Sequence, residues 1–265
     1  MDNHPLFTRA ELEQAIIDGQ FELHYQPIVN ARDLSTLGLE ALVRMKWDER
    51  LLAPAAFIPA IESYTLSLEL GAKVKQMAFA QFSQWNAAGI VHGVYMSVNI
   101  SEAQFRDRAL PQRVMHELHK AGIHHAMVRL EISEHSKLDD TLSADLVASI
   151  LEKNITVVLD DVPTVGTTLI SLANMRRAGV NDVKLDKSYV SLIGDNDMEL
   201  AITAIISALQ NMHMRITAEG VETNKQRTFL LNHGVYSQQG YLFSHPLPAN
   251  ECEAYLIENK AGESQ

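Results

Sequence analysis

Short strand-like runs and helical patterns alternate along this chain, and the strand-like runs are two-faced. The runs are 21–29, 37–45, 94–100, 127–133, 155–160, 180–186, 214–219 and 238–243. Side chains alternate sides along a strand. In "VYMSVNI" Val94, Met96, Val98 and Ile100 share one face, and Tyr95, Ser97 and Asn99 the other. Elsewhere the polar faces carry Arg129 and Glu131, Lys184 and Asp186, Arg215 with Thr217 and Glu219, and Glu40 with Leu42 and Arg44. Parallel strands covered by helices on both faces read as almost wholly apolar. A polar face on strands flanked by helices therefore looks inward, toward a lumen. Eight such runs predict an α/β chain folded as a TIM-like (β/α)8 barrel. No helical pattern separates the first two runs, so the first strand is expected to pair antiparallel. A doubly wound open sheet is the alternative.

Hydrophobic residues are 46 % of 265, enough for one full core, and no Pro/Gly/Ser-rich linker divides the chain. The expected organisation is an N-terminal helix within 1–20, packed on a single barrel over 21–260. Thr8 and Glu11 form a plausible capping box for that helix, and Gly19 a stop. Between strands, "ELAITAIISALQNM" predicts a helix with Leu200, Ala204, Ile205, Ala208, Leu209 and Met212 on one face, and "ADLVASILEKN" another with Leu146, Ile150 and Leu151.

The net charge of −11 argues against duplex nucleic acid, because phosphate binding needs a basic face. Cys252 is the single cysteine, which excludes a disulfide framework and a thiolate metal site. With a polar start lacking a signal-peptide pattern, and no apolar run near the ~18 residues of a membrane span, this sets the expectation of a cytoplasmic protein without a membrane partner. His116 and His119 on one helix face, and His124 and His125 in a turn, read as surface residues.

Late in each strand stands a polar group: Glu40, Asn99, Glu131, Asp160, Asp186, Glu219 and, in the last, Gln239. The carboxyl ends of barrel strands form the active face. One acid at a strand end is usually a solvated terminus or a helix cap. Recurrence in register on separate strands is less ordinary. Glu40, Asn99, Glu131, Asp160, Asp161 and Glu219 converging there would make a hard oxygen cage suited to Mg²⁺ or Mn²⁺. Cations would also explain why "ITVVLDDVPTVGTTL" ends a buried strand on two aspartates, with Asp160 pointing inward and Asp161 opening the loop. Two such ions ~4 Å apart clamp a phosphodiester and activate water for in-line attack.

Eight motifs then occur in order: "YQPI" (25–28), "EALVR" (40–44), "NIS" (99–101), "EISE" (131–134), "LDD" (159–161), "VKLD" (183–186), "AEGVET" (218–223) and "QGYLFSHPLP" (239–248). Together, over roughly 21–250, they resemble the EAL domain family of cyclic di-GMP-specific phosphodiesterases. The resemblance implies a TIM-like barrel with an antiparallel first strand, and hydrolysis of the bacterial second messenger cyclic di-GMP to linear pGpG with two divalent ions, Mg²⁺ or Mn²⁺. It makes Glu40, Asn99, Glu131, Asp160 and Asp161 metal ligands, and Glu219 the acid that helps bind metal or activate water. Lys184 becomes the lysine near the attacking water and Gln239 a glutamine of that site. Arg44 would grip a substrate phosphate and Gln26 contact the ligand. Glu134 would anchor the loop after the fifth strand, with Asp186 and Glu222 in support.

The chain departs from the family where "DDFGTGYSSL" becomes "DDVPTVGTTL". Pro163 replaces a glycine, fixing φ and removing an N–H. Val165 and Gly166 differ as well, as do "RMKW" after the EAL motif and Tyr236 before Gln-Gly-Tyr. An active phosphodiesterase remains the first expectation, because the full ligand set is present. The alternative is a catalytically silent cyclic di-GMP receptor, or a protein-interaction regulator, with an altered loop 162–167. The sequence leaves open a homodimer and a regulatory protein partner.

Overall fold

The computed structural model describes residues 7–133, 141–163 and 168–262. Ten strands form one sheet: β1 (Phe21–Asn30), β2 (Thr36–Trp47), β3 (Arg50–Leu52), β4 (Tyr95–Ile100), β5 (Val128–Ser133), β6 (Thr156–Val162), β7 (Asp182–Leu185), β8 (Arg215–Ala218), β9 (Ser237–Gln238) and β10 (Leu247–Pro248). From β2 through β4, β5, β6, β7 and β8 to β9, each neighbour pairs parallel. β1 closes the ring, antiparallel to β2 on one side and to β9 on the other. The result is the eight-stranded mixed barrel that the alternation predicts. A parallel β1–β2 pair would need a crossover of a dozen residues or more. The link between these strands is a short turn, with Leu34 at φ 66° and Asp33 accepting hydrogen bonds from Asn30 and Ser35. β3 folds back on β2, and β10 extends the β1 edge.

The outward faces form the core against the helices. Leu39 and Ala41, Met96 and Val98, Leu130 and Ile132, Val157 and Leu159, and Val183 and Leu185 are all buried. The helix Arg9–Ile17 begins in a full capping box between Thr8 and Glu11 and buries Leu12, Ala15 and Ile16. The inward faces are polar, as expected. At the amino end of the lumen, Arg215 donates to Asp182 (Nε to Oδ1 2.8 Å), and Arg129 lies 3.6 Å from the same carboxylate. The Arg129 guanidinium also sits 3.4 Å over the Tyr95 ring. That ring passes across Gly38, where a Cβ would meet it at 2.3 Å, so glycine is required there. These groups plug the lower barrel and leave the carboxyl end for chemistry.

Two sequence expectations are corrected. The run 238–243 is not a strand. Only Ser237 and Gln238 pair, and the chain then turns at Gly240 and runs back toward β10. Gly240 lies against Val221, whose carbonyl oxygen would be 2.1 Å from an added Cβ, and this contact holds the turn. The helix Asn196–Asn211 buries Ile202, Ile206 and Leu209, whereas Leu200 is 73 % exposed and Ala204 also faces solvent. Its apolar residues offer two overlapping stripes three to four apart. Packing against β8 selects the later one.

Candidate active site

The site is built by strand parity and by one irregularity. Parity sends Glu40 from β2, Glu131 from β5, Lys184 from β7 and, just past β8, Glu219 to the same mouth. The irregularity is in β6. Leu159 pairs with Val183 and Val162 with Leu185, so β6 spends three steps where β7 spends two. That extra residue is a bulge. Asp161 sits in it at φ 58°, a conformation Asp tolerates better than most residues. Adjacent strand residues normally face opposite ways. Here the bulge brings both aspartates to the mouth, and one ligand oxygen from each of Asp160, Asp161 and Glu219 lies within 4.8 Å of the others. Asp161 thus lies inside β6 rather than at the start of a loop, which corrects the sequence expectation.

Lys184 stands at the centre of the acids. Its Nζ is 2.6 Å from Glu219 Oε1, 2.9 Å from Glu40 Oε2, 2.9 Å from Glu131 Oε2 and 3.6 Å from Asp160 Oδ1. Burial alone would lower the lysine pKa, but Asp160, Glu131, Glu219 and Glu40 outweigh it and hold the ammonium well above the usual range. The carboxylates divide. Burial pushes Glu40 up, yet Lys184, Gln239 and Asn99 donate to it and bring it below the ordinary value. Glu131, buried and beside Glu40, is raised despite Lys184 and a hydrogen bond from Ser97. Burial raises Asp160 and pushes Glu219 up to about 8, with Lys184 opposing in both. One ammonium meets only part of the charge of four carboxylates in a poorly solvated site; protons meet the rest, as the raised Glu131, Asp160 and Glu219 show, and a bound cation would take their place.

The donor set is all hard oxygen, the chemistry that holds hard divalent cations. Among the described residues, Asp160, Asp161 and Glu219 form the group able to hold an ion as they stand. Glu40 and Glu131 lie outside that group and, like Glu219, contact Lys184, and Asn99 donates its Nδ2 to Glu40 Oε1 at 2.8 Å. Gln239 Nε2 donates to Glu40 Oε2 (2.8 Å) and Gln26 Oε1 (2.9 Å), while Gln26 reaches the Ser244 carbonyl (3.0 Å).

Other expected site residues lie further out. Arg44, half-buried, donates to the Val43 carbonyl at 2.9 Å and forms no ion pair among the described residues. Asp186 caps the short helix Lys187–Val190, accepting from Ser188 N–H at 2.9 Å. Glu222 is exposed at the rim, its N–H donating to Gln226 Oε1. Glu134 and loop positions 164–167 lie outside the described residues. Ser97, whose hydroxyl donates to Glu131, is a site residue that the motifs do not mark; its place on the polar face of β4, two before Asn99, is the available signal. Beside the acids opens a cavity of about 590 Å³, largely apolar, whose lining includes Leu42, Pro54, Ile58, Leu70, Asn99 and Asp161.

The EAL domain family model matches residues 9–246. The chain belongs to the EAL domain family. This EAL chain is 35 % identical over 257 residues to the cyclic di-GMP phosphodiesterase NbdA of Pseudomonas aeruginosa, covering 95 % of this chain and 32 % of that protein. It is 32 % identical to the bifunctional diguanylate cyclase/cyclic di-GMP phosphodiesterase MucR of Pseudomonas aeruginosa, covering 92 % of this chain and 36 % of that protein. It thus spans about a third of the length of these relatives. The structure of the PaMucR phosphodiesterase in complex with c-di-GMP superimposes with TM-score 0.84 at 29 % identity, over 92 % of this EAL chain and 98 % of that one. An EAL domain protein from Listeria monocytogenes EGD-e gives TM-score 0.78 at 27 % identity, over 94 % and 98 %. Among the described residues, no helix of this EAL chain is long and apolar enough to cross a membrane.

Proposed function

We propose that this EAL chain hydrolyses cyclic di-GMP to linear pGpG at the mouth of the barrel, using divalent cations. The observation that carries the reading is the juxtaposition of Asp160, Asp161 and Glu219 within 4.8 Å, next to a lysine already surrounded by four acids. Asp160, Asp161 and Glu219 would hold Mg²⁺ or Mn²⁺, with Glu40, Asn99 and Glu131 completing the set once they turn from their present partners. A bound ion supplies positive charge to the phosphodiester and acidifies water. Lys184 Nζ holds Glu40 and Glu131 in place and offers a cationic donor to water or a phosphate oxygen. Gln239, whose Nε2 also donates to Gln26, donates to the same Glu40 oxygen as Lys184. Water adds at phosphorus, the bond from phosphorus to the 3′ oxygen breaks, and that oxygen leaves as a hydroxyl with a proton. The cavity beside Leu42 has the volume and apolar lining to take one end of a dinucleotide.

The test is incubation with cyclic di-GMP and Mg²⁺ or Mn²⁺, with product resolved by chromatography. The proposal expects pGpG from the wild-type chain and none from Glu40→Ala. Pro163, at the end of β6, favours a second reading as a silent receptor: tight binding of cyclic di-GMP without product would establish it.

A further inference from the structure

Ser97 is fully buried on the lumen face of β4, between Tyr95 and Asn99. Pairing sets it beside Glu40 of β2 on one side and Arg129 of β5 on the other. The Arg129 guanidinium is taken up elsewhere, over the Tyr95 ring and toward Asp182. A hydroxyl without access to water must find its partner inside the protein. Elsewhere in the lumen two hydroxyls satisfy each other: Thr217 Oγ1 of β8 lies 2.9 Å from Ser237 Oγ of β9. Ser97 instead donates to Glu131 Oε1, on the residue that stands level with Asn99.

That bond divides the Glu131 carboxylate. Oε1 takes the Ser97 hydroxyl, and Oε2 takes Lys184 Nζ at 2.9 Å. Glu40 is divided in the same way, with Asn99 Nδ2 on Oε1 at 2.8 Å and Lys184 Nζ on Oε2 at 2.9 Å. β4 thus gives one donor to each buried glutamate, and Lys184 joins the two. The donors differ in reach. Asn99 is exposed at the mouth, whereas Ser97 has no exposed surface and lies a level deeper. An ion at the mouth can meet Asn99 directly, but Ser97 acts on it only through Glu131. The last torsion of a glutamate side chain is broad. A donor on each oxygen fixes that torsion, and a donor on one oxygen restrains it less.

Resting on the metal-dependent phosphodiesterase reading above, we propose that Ser97 is a positioning residue of the cation site: its hydroxyl holds the Glu131 carboxylate in the orientation that turns Oε2 toward Lys184 and the other acids. Groups that hydrogen-bond a ligating carboxylate orient it, and their loss weakens metal binding by about 10- to 100-fold. Ser97 orders Glu131 before an ion arrives. Its contribution therefore belongs to affinity for the ion.

The experiment measures Mn²⁺ dissociation constants by calorimetry on the full chain without nucleotide, for the wild type, Ser97→Ala, Glu131→Ala and the double variant. Turnover of cyclic di-GMP by the wild type is followed separately. Ser97→Ala is expected to weaken Mn²⁺ binding by at least about tenfold. In the Glu131→Ala background the same substitution should change the affinity by less than about twofold, because a residue that acts through another has no effect once that other is gone. Ser97→Cys, which keeps a weak donor of similar shape, should lose less than Ser97→Ala. Equal losses in the two backgrounds would make Ser97 a general support of the barrel and overturn the proposal. Unchanged Mn²⁺ affinity in Ser97→Ala, with the wild type binding, would overturn it as well, as would a larger loss in Ser97→Cys than in Ser97→Ala. Wild-type protein that binds Mn²⁺ but releases no pGpG would sink the phosphodiesterase reading alone. Wild-type protein that takes up no Mn²⁺ would sink both.

Discussion

Lys184 Nζ lies 2.6 Å from Glu219 Oε1, although the two residues arrive on different strands and neither is close to the other in sequence. The same nitrogen contacts Glu40 and Glu131 at 2.9 Å each. The lysine is therefore the internal counter-ion of the mouth, and its removal has consequences for folding as well as for chemistry.

Lys184→Met leaves four acids facing each other without a cation. Stripping one partner from a buried ion pair costs about 3–5 kcal/mol. The variant is expected to melt well below wild type in chelator, and to recover part of that loss when Mn²⁺ is added. Thermal melts with and without metal check this; equal melting temperatures in chelator would contradict the central role of the lysine.

Asp161 separates charge from backbone conformation. At φ 58° it sits where Asn is tolerated and Ala is strained by roughly 1–2 kcal/mol. Asp161→Asn should keep the wild-type melting temperature while losing Mn²⁺ affinity and at least ~100-fold in turnover, several kcal/mol of metal stabilisation. Asp161→Ala should lose stability as well. Melting and metal-binding calorimetry on the two variants distinguish the effects.

The end of β6 gives opposite expectations for neighbouring substitutions. Val162 is fully buried and paired with Leu185, so Val162→Phe overpacks the core and should cost about 1–3 kcal/mol. Pro163→Gly frees the following segment without adding volume and is expected to raise turnover. Denaturant melts and initial rates measure the two. Unaltered or lower turnover in Pro163→Gly would show that this segment works in its own geometry.

Cys252 is fully buried, and that burial pushes its thiol up to about 12. The reactive species is the thiolate. Native protein at mildly alkaline pH should resist iodoacetamide, and denatured protein should react promptly. Mass spectrometry of the labelled chain reads the difference; rapid native labelling would mean that the helix Ala249–Gly262, which carries Cys252, opens readily.

Much of this protein was legible in its residues because the signals are local. Alternation along "VYMSVNI" and "VKLD" determined which faces meet helices and which meet the lumen, and the short turn after Asn30 determined that β1 runs antiparallel. The same parity sent Glu40, Glu131 and Lys184 inward. Tertiary structure decided the rest. The β6 bulge depends on the step count of β7 beside it, so the residues alone placed Asp161 at the start of a loop and not inside the strand. The placement of Lys184 among four acids depends on β7 meeting β2, β5, β6 and the end of β8 in space. The buried stripe of Asn196–Asn211, and the turn that carries Tyr241 in place of a longer last strand, were chosen by packing against β8 and Val221. Periodicity specifies a residue's face because it is a property of one segment; register between segments, and what gathers at their ends, is set by the energy of contacts that exist only when the barrel has closed.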